Sequence, residues 1–223
     1  MNPKIYPVIH HLDDTTTLGE AAVARDAGAD GVFLISHHGK DRDIARLAAH
    51  LCAHYNSDFK IGVNFLGWPN MHAFDVAHMA ELDMLWFDNC GVTSAGLTAH
   101  GLMLNKRIHA YTGKKPEIFA GTAFKYQPHE DYPAGAAHVA AANGYIPTTS
   151  GAATGAPPTL DKIADMSALG TKALAVASGM TPRNVAAFAP LLSHILVSTG
   201  VSRDGYHFDA ELLSEFIANV RAA

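Results

Sequence analysis

The sequence predicts an α/β protein, one closed (β/α)8 barrel filling a single domain from residue 1 to residue 223. Three observations predict it. Strand-sized apolar runs alternate eight times with helical stretches. The runs are rich in Val, Ile, Phe and Ala without clean apolar–polar alternation, as parallel strands buried on both faces are. The chain has 223 residues, which suits a small barrel of about 200 to 250. An open doubly wound sheet is the competing topology. Its nucleotide-binding form needs GxGxxG after the first strand, and this chain reads "HHLDDTTTLGE" there.

The expected strands, in order, are IYPVIH (5–10), DGVFLIS (30–36), KIGVNFL (60–66), MLWFD (84–88), EIFAGTAF (117–124), GYIPTTS (144–150), ALAVAS (173–178) and HILVSTG (194–200). Helices are expected between them. Thr17 is the expected cap of "LGEAAVARDAG", which closes at Gly28. In "DRDIARLAAHLCAHY", Ile44, Leu47, Ala48 and Leu51 fall on one stripe. Thr181 is read as an N-cap with Pro182 at the first helical position. Asp209 is read as the cap of the last helix, with Leu212, Leu213, Phe216, Ile217 and Val220 on its buried side.

A net charge of −5 and the lack of a basic stripe argue against a nucleic-acid surface. Cys52 and Cys90 form no CxxC pattern, so a disulfide framework is not expected and a reducing cytoplasm is the default. No apolar stretch is long enough for a membrane span, and "MNPKIYPVIHH" has no signal-peptide layout.

In a barrel of this kind the active site lies at the C-terminal ends of the strands. That rule selects His10 and His11; Ser36, His37 and His38; Asn64; Asp88, Asn89 and Cys90; Lys125; Thr148 to Ser150; Ser178 and Gly179; and Ser198, Thr199 and Gly200. "ASGMTPRN" and "VSTGVS" place small residues and glycine after the last two strands. There backbone amides can approach an anion, and phosphate sites in such barrels are often built from these two loops. The plain alternative is that the glycines only make turns. His10, His11, His37 and His38 come from adjacent strand ends, so two or three could share a metal. Neighbouring residues on a strand point to opposite sides, however, and no HExxH-type spacing supports a metal site. His37 could instead shuttle a proton. Asp88, flanked by Trp86 and Phe87, is a candidate general base whose pKa burial would raise. Lys125 could hold an anion, polarise a carbonyl or form a Schiff base. Nothing adjacent would activate Cys90, and His50 and His54 read as surface residues.

These residues resemble a known family. "TSGAATGAPPTLDKI" followed by "ALAVASGMTPRNVAAFAPLLSHILVSTGVSRDG" looks like the C-terminal half of the BtpA/SgcQ family. "GVNFLGWPN", "EIFAGTAFKYQ" and "PVIHHL" are similar to its third, fifth and first strand segments. The resemblance implies a TIM-type barrel related to phosphate-binding barrels, in a family associated with photosystem I or membrane-complex biogenesis. It adds weight to Lys125, Asn64, Ser178, Gly179 and His10, and it brings in Gly151, Thr154 and Gly155. The chain departs from the family at "ISHHGKD", at "WFDNCGV" and at Arg203, where a lysine is expected.

The expectation is an enzyme acting by isomerase or lyase chemistry on a small phosphorylated metabolite, of phosphosugar or phosphoribosyl type. Lys125, Asp88, His37, His10 and Asn64 form its catalytic set. Gly151, Thr154, Gly155, Ser178, Gly179, Ser198, Thr199 and Gly200 bind substrate and phosphate. No metal, cofactor, nucleic acid or stable membrane insertion is expected, and a homo-oligomer is allowed. The alternatives are a biogenesis factor without catalysis and a metal-dependent hydrolase using the strand-end histidines.

Overall fold

The computed structural model describes residues 2–55, 58–168 and 173–223. Eight parallel strands close into a barrel: β1 (Lys4–His10), β2 (Gly31–Ile35), β3 (Lys60–Asn64), β4 (Met84–Phe87), β7 (Glu117–Gly121), β8 (Ile146–Thr149), β9 (Ala175–Ala177) and β10 (His194–Val197). β1 closes the ring by pairing with both β2 and β10. The remaining two strands, β5 (Val92–Thr93) and β6 (Gly96–Leu97), form a small antiparallel hairpin between β4 and the next helix. Two-residue strands are too short to leave a period in the sequence, and the hairpin was not expected.

Side chains alternate along the strands, and that alternation divides the core in two. Along β1, Tyr6 and Val8 face the barrel axis, while Ile5 and Ile9 pack outward. The interior is plugged by aromatic rings in edge-to-face contact. Phe33 lies 5.1 Å from Phe119, 5.9 Å from Tyr6 and 6.0 Å from Trp86. Gly62 leaves room for this plug, because a Cβ there would sit 2.4 Å from the Phe33 ring. The barrel interior is therefore filled by side chains, and a cavity opens above its last interior layer.

The helices are α1 (Asp14–Asp26), α2 (Asp41–Tyr55), α3 (Asn70–Met79), α4 (Ala99–Ala110), α5 (Pro133–Ala142), α6 (Leu160–Ala168), α7 (Val185–Phe188) and α8 (Ala210–Ala222). The α2 stripe of Ile44, Leu47, Ala48 and Leu51 is buried. On α8, Asp209 caps the N–H groups of Glu211 and Leu212. Leu213, Phe216, Ile217 and Val220 are buried there, whereas Leu212 is 38% exposed. Two capping expectations fail. α1 starts three residues before Thr17, capped by the Asp13 carboxylate. The Thr17 hydroxyl is instead buried against His11 Nδ1 at 2.8 Å. Thr181 does not cap α7 with its side chain. Asn184 precedes that helix, and its Oδ1 accepts the Thr181 N–H at 2.8 Å.

Candidate active site

A cavity of roughly 290 Å³ opens at the C-terminal end of the barrel. Its floor is apolar, formed by Val8, Ile35, Trp86, Ala177 and Leu196. The Trp86 indole N–H is buried there without a partner among the described residues. Around the rim stand His10, His37, Asp88, Lys125, Thr154, Gly155, Ser178, Gly179, Ser198 and Thr199, all singled out from the sequence.

One wall is made of backbone. After β9 the chain turns at Ser178 (φ +143°) and Gly179 (φ +71°). Asn184 staples this turn by donating to Gly179 O at 2.9 Å. The Ser178 hydroxyl accepts the Gly155 N–H at 3.0 Å, which ties the "GAATGAPP" loop after β8 to the loop after β9. No described residue accepts a hydrogen bond from the N–H of Gly179 or Met180. After β10, Thr199–Val201 forms a 3-10 turn beside them.

Opposite lies Asp88, one residue beyond β4. Burial raises its pKa. The Asn64 amide, donating to Oδ1 at 2.9 Å, and the charges of Lys125 and His37 pull it back. Asn64 is itself buried and off the cavity surface, so it touches Asp88 rather than a ligand. Lys125 sits four residues beyond the end of β7, on an arm at the cavity rim. Its ammonium lies 3.4 Å from the Thr154 hydroxyl and 5.5 Å from the centre of the Phe124 ring.

His10 points into the cavity, 3.4 Å from Ser198 Oγ and with its ring 5.0 Å from that of His37. Burial, then the nearby His37 and Lys125, lower its pKa to about 4, so it is neutral at ordinary pH. His11 points the other way, and His38 is exposed outside the cavity. The strand-end histidines thus meet as a pair. No group of three or more His, Cys, Asp or Glu side chains able to hold a metal exists among the described residues. Cys90 is fully buried away from the cavity, its thiol pushed up to about 12.

Gly151 and Gly200 do not reach the cavity. A Cβ on Gly151 would lie 2.2 Å from Ala156 O, and one on Gly200 would lie 1.9 Å from Met180 O. Both glycines allow the loops to pack on each other, and Gly151 lines a second groove outside the arm. Three residues on or against the arm were missed from the sequence. Tyr126 lines the cavity and is 82% exposed. The Gln127 amide donates to Asp88 O at 2.6 Å and to Gly121 O at 2.9 Å. Lys162, from α6, donates to Ala123 O and Ser150 O. All three lie outside the strand ends, where a strand-end rule does not look.

No protein-family model matches the chain, and no curated protein does. Solved structures match over nearly its whole length. A native KDPGal structure aligns with a TM-score of 0.68 at 15% identity, covering 98% of this chain and 94% of that one. Phosphoribosyl anthranilate isomerase from Thermus thermophilus gives 0.68 at 11% identity, covering 98% of each chain. Thiamine phosphate pyrophosphorylase from Pyrococcus furiosus gives 0.66 at 13%, covering 98% and 96%. The chain has the TIM-barrel fold. At such low identity the likeness establishes the architecture and leaves the chemistry to the site. No helix among the described residues is long and apolar enough to cross a membrane.

Proposed function

We propose that the protein is an enzyme acting on a small phosphorylated metabolite, with its phosphate on the loops after β9 and β10 and its reacting carbon between Lys125 and Asp88. The observation that carries this reading is that both walls face one cavity. Backbone amides without acceptors stand on one side, and a lysine and a desolvated carboxylate stand on the other. Free N–H groups at a glycine turn suit a dianion without bringing in a counter-charge that binds too many other ligands. A carboxylate with a raised pKa suits proton removal next to a carbonyl, and the ammonium of Lys125 stabilises the charge that develops on oxygen. Neutral His10 can donate to or accept from the same substrate without competing with Lys125 for negative charge. Isomerisation or carbon–carbon lyase chemistry uses this set of groups. The names of two structural neighbours, an isomerase of a phosphoribosyl compound and a thiamine phosphate pyrophosphorylase, agree with a phosphorylated substrate. Membership of the BtpA/SgcQ family is part of the same proposal, supported by the "GAATGAPP" loop and its place at the mouth.

Titration with inorganic phosphate tests the grip. The amide resonances of Gly179, Met180 and Thr199 are expected to shift together and saturate, and a response confined to other residues would overturn the assignment. In a screen of phosphorylated sugars, Lys125→Ala is expected to lose about 10²–10³-fold in turnover while remaining folded. Unchanged turnover would remove Lys125 from the mechanism.

A further inference from the structure

The arm that carries Lys125 is bent twice against the preference of its residues. Ala123 has φ +46° and Tyr126 has φ +66°. Left-handed backbone is disfavoured for any residue that carries a Cβ. Such conformations persist where the surroundings over-determine them.

Here they do. The Lys162 ammonium, on the first turn of α6, donates to Ala123 O at 2.7 Å and to Ser150 O at 2.9 Å. Thr149 Oγ1 donates to the same Ala123 oxygen at 3.3 Å. Ser150 in turn accepts the backbone N–H of Lys125 on its hydroxyl at 2.8 Å. One side chain thus pins the first bend of the arm and the residue that holds Lys125. Burial alone pushes the Lys162 pKa down, and no described carboxylate offsets that cost. What the charge gains is two charge-assisted bonds, about twice as strong as neutral ones. Lys162 lines the outer groove and not the cavity, so it cannot act by touching a ligand there.

We propose that Lys162 is a positioning residue, which fixes the arm so that the amine of Lys125 is held in the cavity mouth rather than released to solvent. The inference rests on the reading of Lys125 as the functional cation.

Pulse acetylation with acetic anhydride at constant pH, read by peptide mass spectrometry, tests it without any ligand. Lys106, exposed on α4, is the internal reference. In the native protein Lys125, packed by Phe124 and Thr154, is expected to react more slowly than Lys106. Lys162→Met is expected to raise the Lys125-to-Lys106 rate ratio at least threefold. Lys162→Arg, which keeps two N–H donors, should stay within twofold of native. A purely structural role would lower the melting temperature and leave the ratio where it was. An unchanged ratio in folded Lys162→Met overturns the proposal. Should that variant not fold, Ser150→Ala decides by the same ratio, since it cuts the link to Lys125 with Lys162 in place; no change there also overturns it. Failure of inorganic phosphate to bind the native protein would instead overturn the proposed function, and the acetylation ratio would still be read.

Discussion

On one side of the mouth, the loops after β9 and β10 offer peptide groups held in shape by close backbone packing and by the short side chains of Ser178 and Asn184. On the other side, the arm after β7 offers a single amine, held in shape by side chains from far along the chain. The backbone wall has little freedom to vary, because its geometry is set by close packing. A Cβ on Gly179 would meet Pro157 N at 2.1 Å and Ala156 C at 2.3 Å. The arm has two left-handed residues and is held by side-chain hydrogen bonds at Ala123 and Gln127, and those bonds can be removed one at a time.

The largest effect expected from this contrast is at Gly179. Gly179→Ala combines a positive φ with a collision against backbone that cannot move aside. A loss on the order of 4 kcal/mol is expected, together with loss of phosphate binding. Gly155 has a similar φ of +79° but open space where a Cβ would go. Gly155→Ala should therefore cost only about 1 kcal/mol. Urea unfolding of the two variants measures the difference, and equal losses would mean that conformation alone, not packing, shapes this wall.

This contrast also explains what could be read from the sequence. The barrel was legible because eight apolar runs and the spacing between them carry it. The backbone wall was legible because small residues and glycine at Ser178–Gly179 and Ser198–Thr199 are themselves the signal. Gly151 and Gly200 carried the same signal and turned out to serve loop packing, since sequence does not say which way a glycine faces. Lys125 and Asp88 were found through the strand-end rule. Lys162 and Gln127 were not, because a latch is defined by what it reaches across the fold. Lys162 contacts residues 12 and 39 positions away, and nothing local marks it. The caps at Thr17 and Thr181 failed for a related reason. Each has a suitable side chain near a helix start, but the Thr17 hydroxyl is taken by His11, and the helix after Thr181 begins only beyond Asn184, whose Oδ1 accepts the Thr181 N–H.

A smaller effect is expected at His10, which lies between the two walls. Its folded pKa, about 4, is below the ordinary 6.5. The unfolded chain therefore binds a proton that the native state refuses. The resulting stability is whole above pH 6.5 and is lost as pH falls through 4. At about 1.4 kcal/mol per unit, the loss between pH 7 and 4.5 amounts to about 2–3 kcal/mol. His194, at the other end of the barrel, is held near 4 by its own burial and contributes separately. His10→Gln should remove the His10 share of the acid loss and leave that of His194. Urea unfolding at the two pH values reads this directly, and an undiminished acid loss in His10→Gln would show that the mouth is better solvated than its geometry implies.

The smallest effect concerns Gln127, which links the backbone at Asp88 to the arm after β7. Gln127 completes three hydrogen bonds. Its amide nitrogen serves Asp88 O and Gly121 O, and its Oε1 accepts the Phe124 N–H at 3.1 Å. It therefore joins the backbone beneath Asp88 to the arm that carries Lys125. Gln127→Ala leaves two carbonyls and one N–H short of a partner, but water from the open outer groove can reach part of this set, so a loss of only about 1–2 kcal/mol is expected. Gln127→Glu separates packing from polarity. The side chain keeps its size, but at pH 7 a carboxylate oxygen would face two carbonyl oxygens where an N–H had donated. Glu should therefore be worse than Ala by urea unfolding at pH 7, despite the smaller change in shape. If Ala proved the worse of the two, Gln127 would be filling space rather than holding the arm to Asp88, and the arm's position would rest on Lys162 and Ser150 alone.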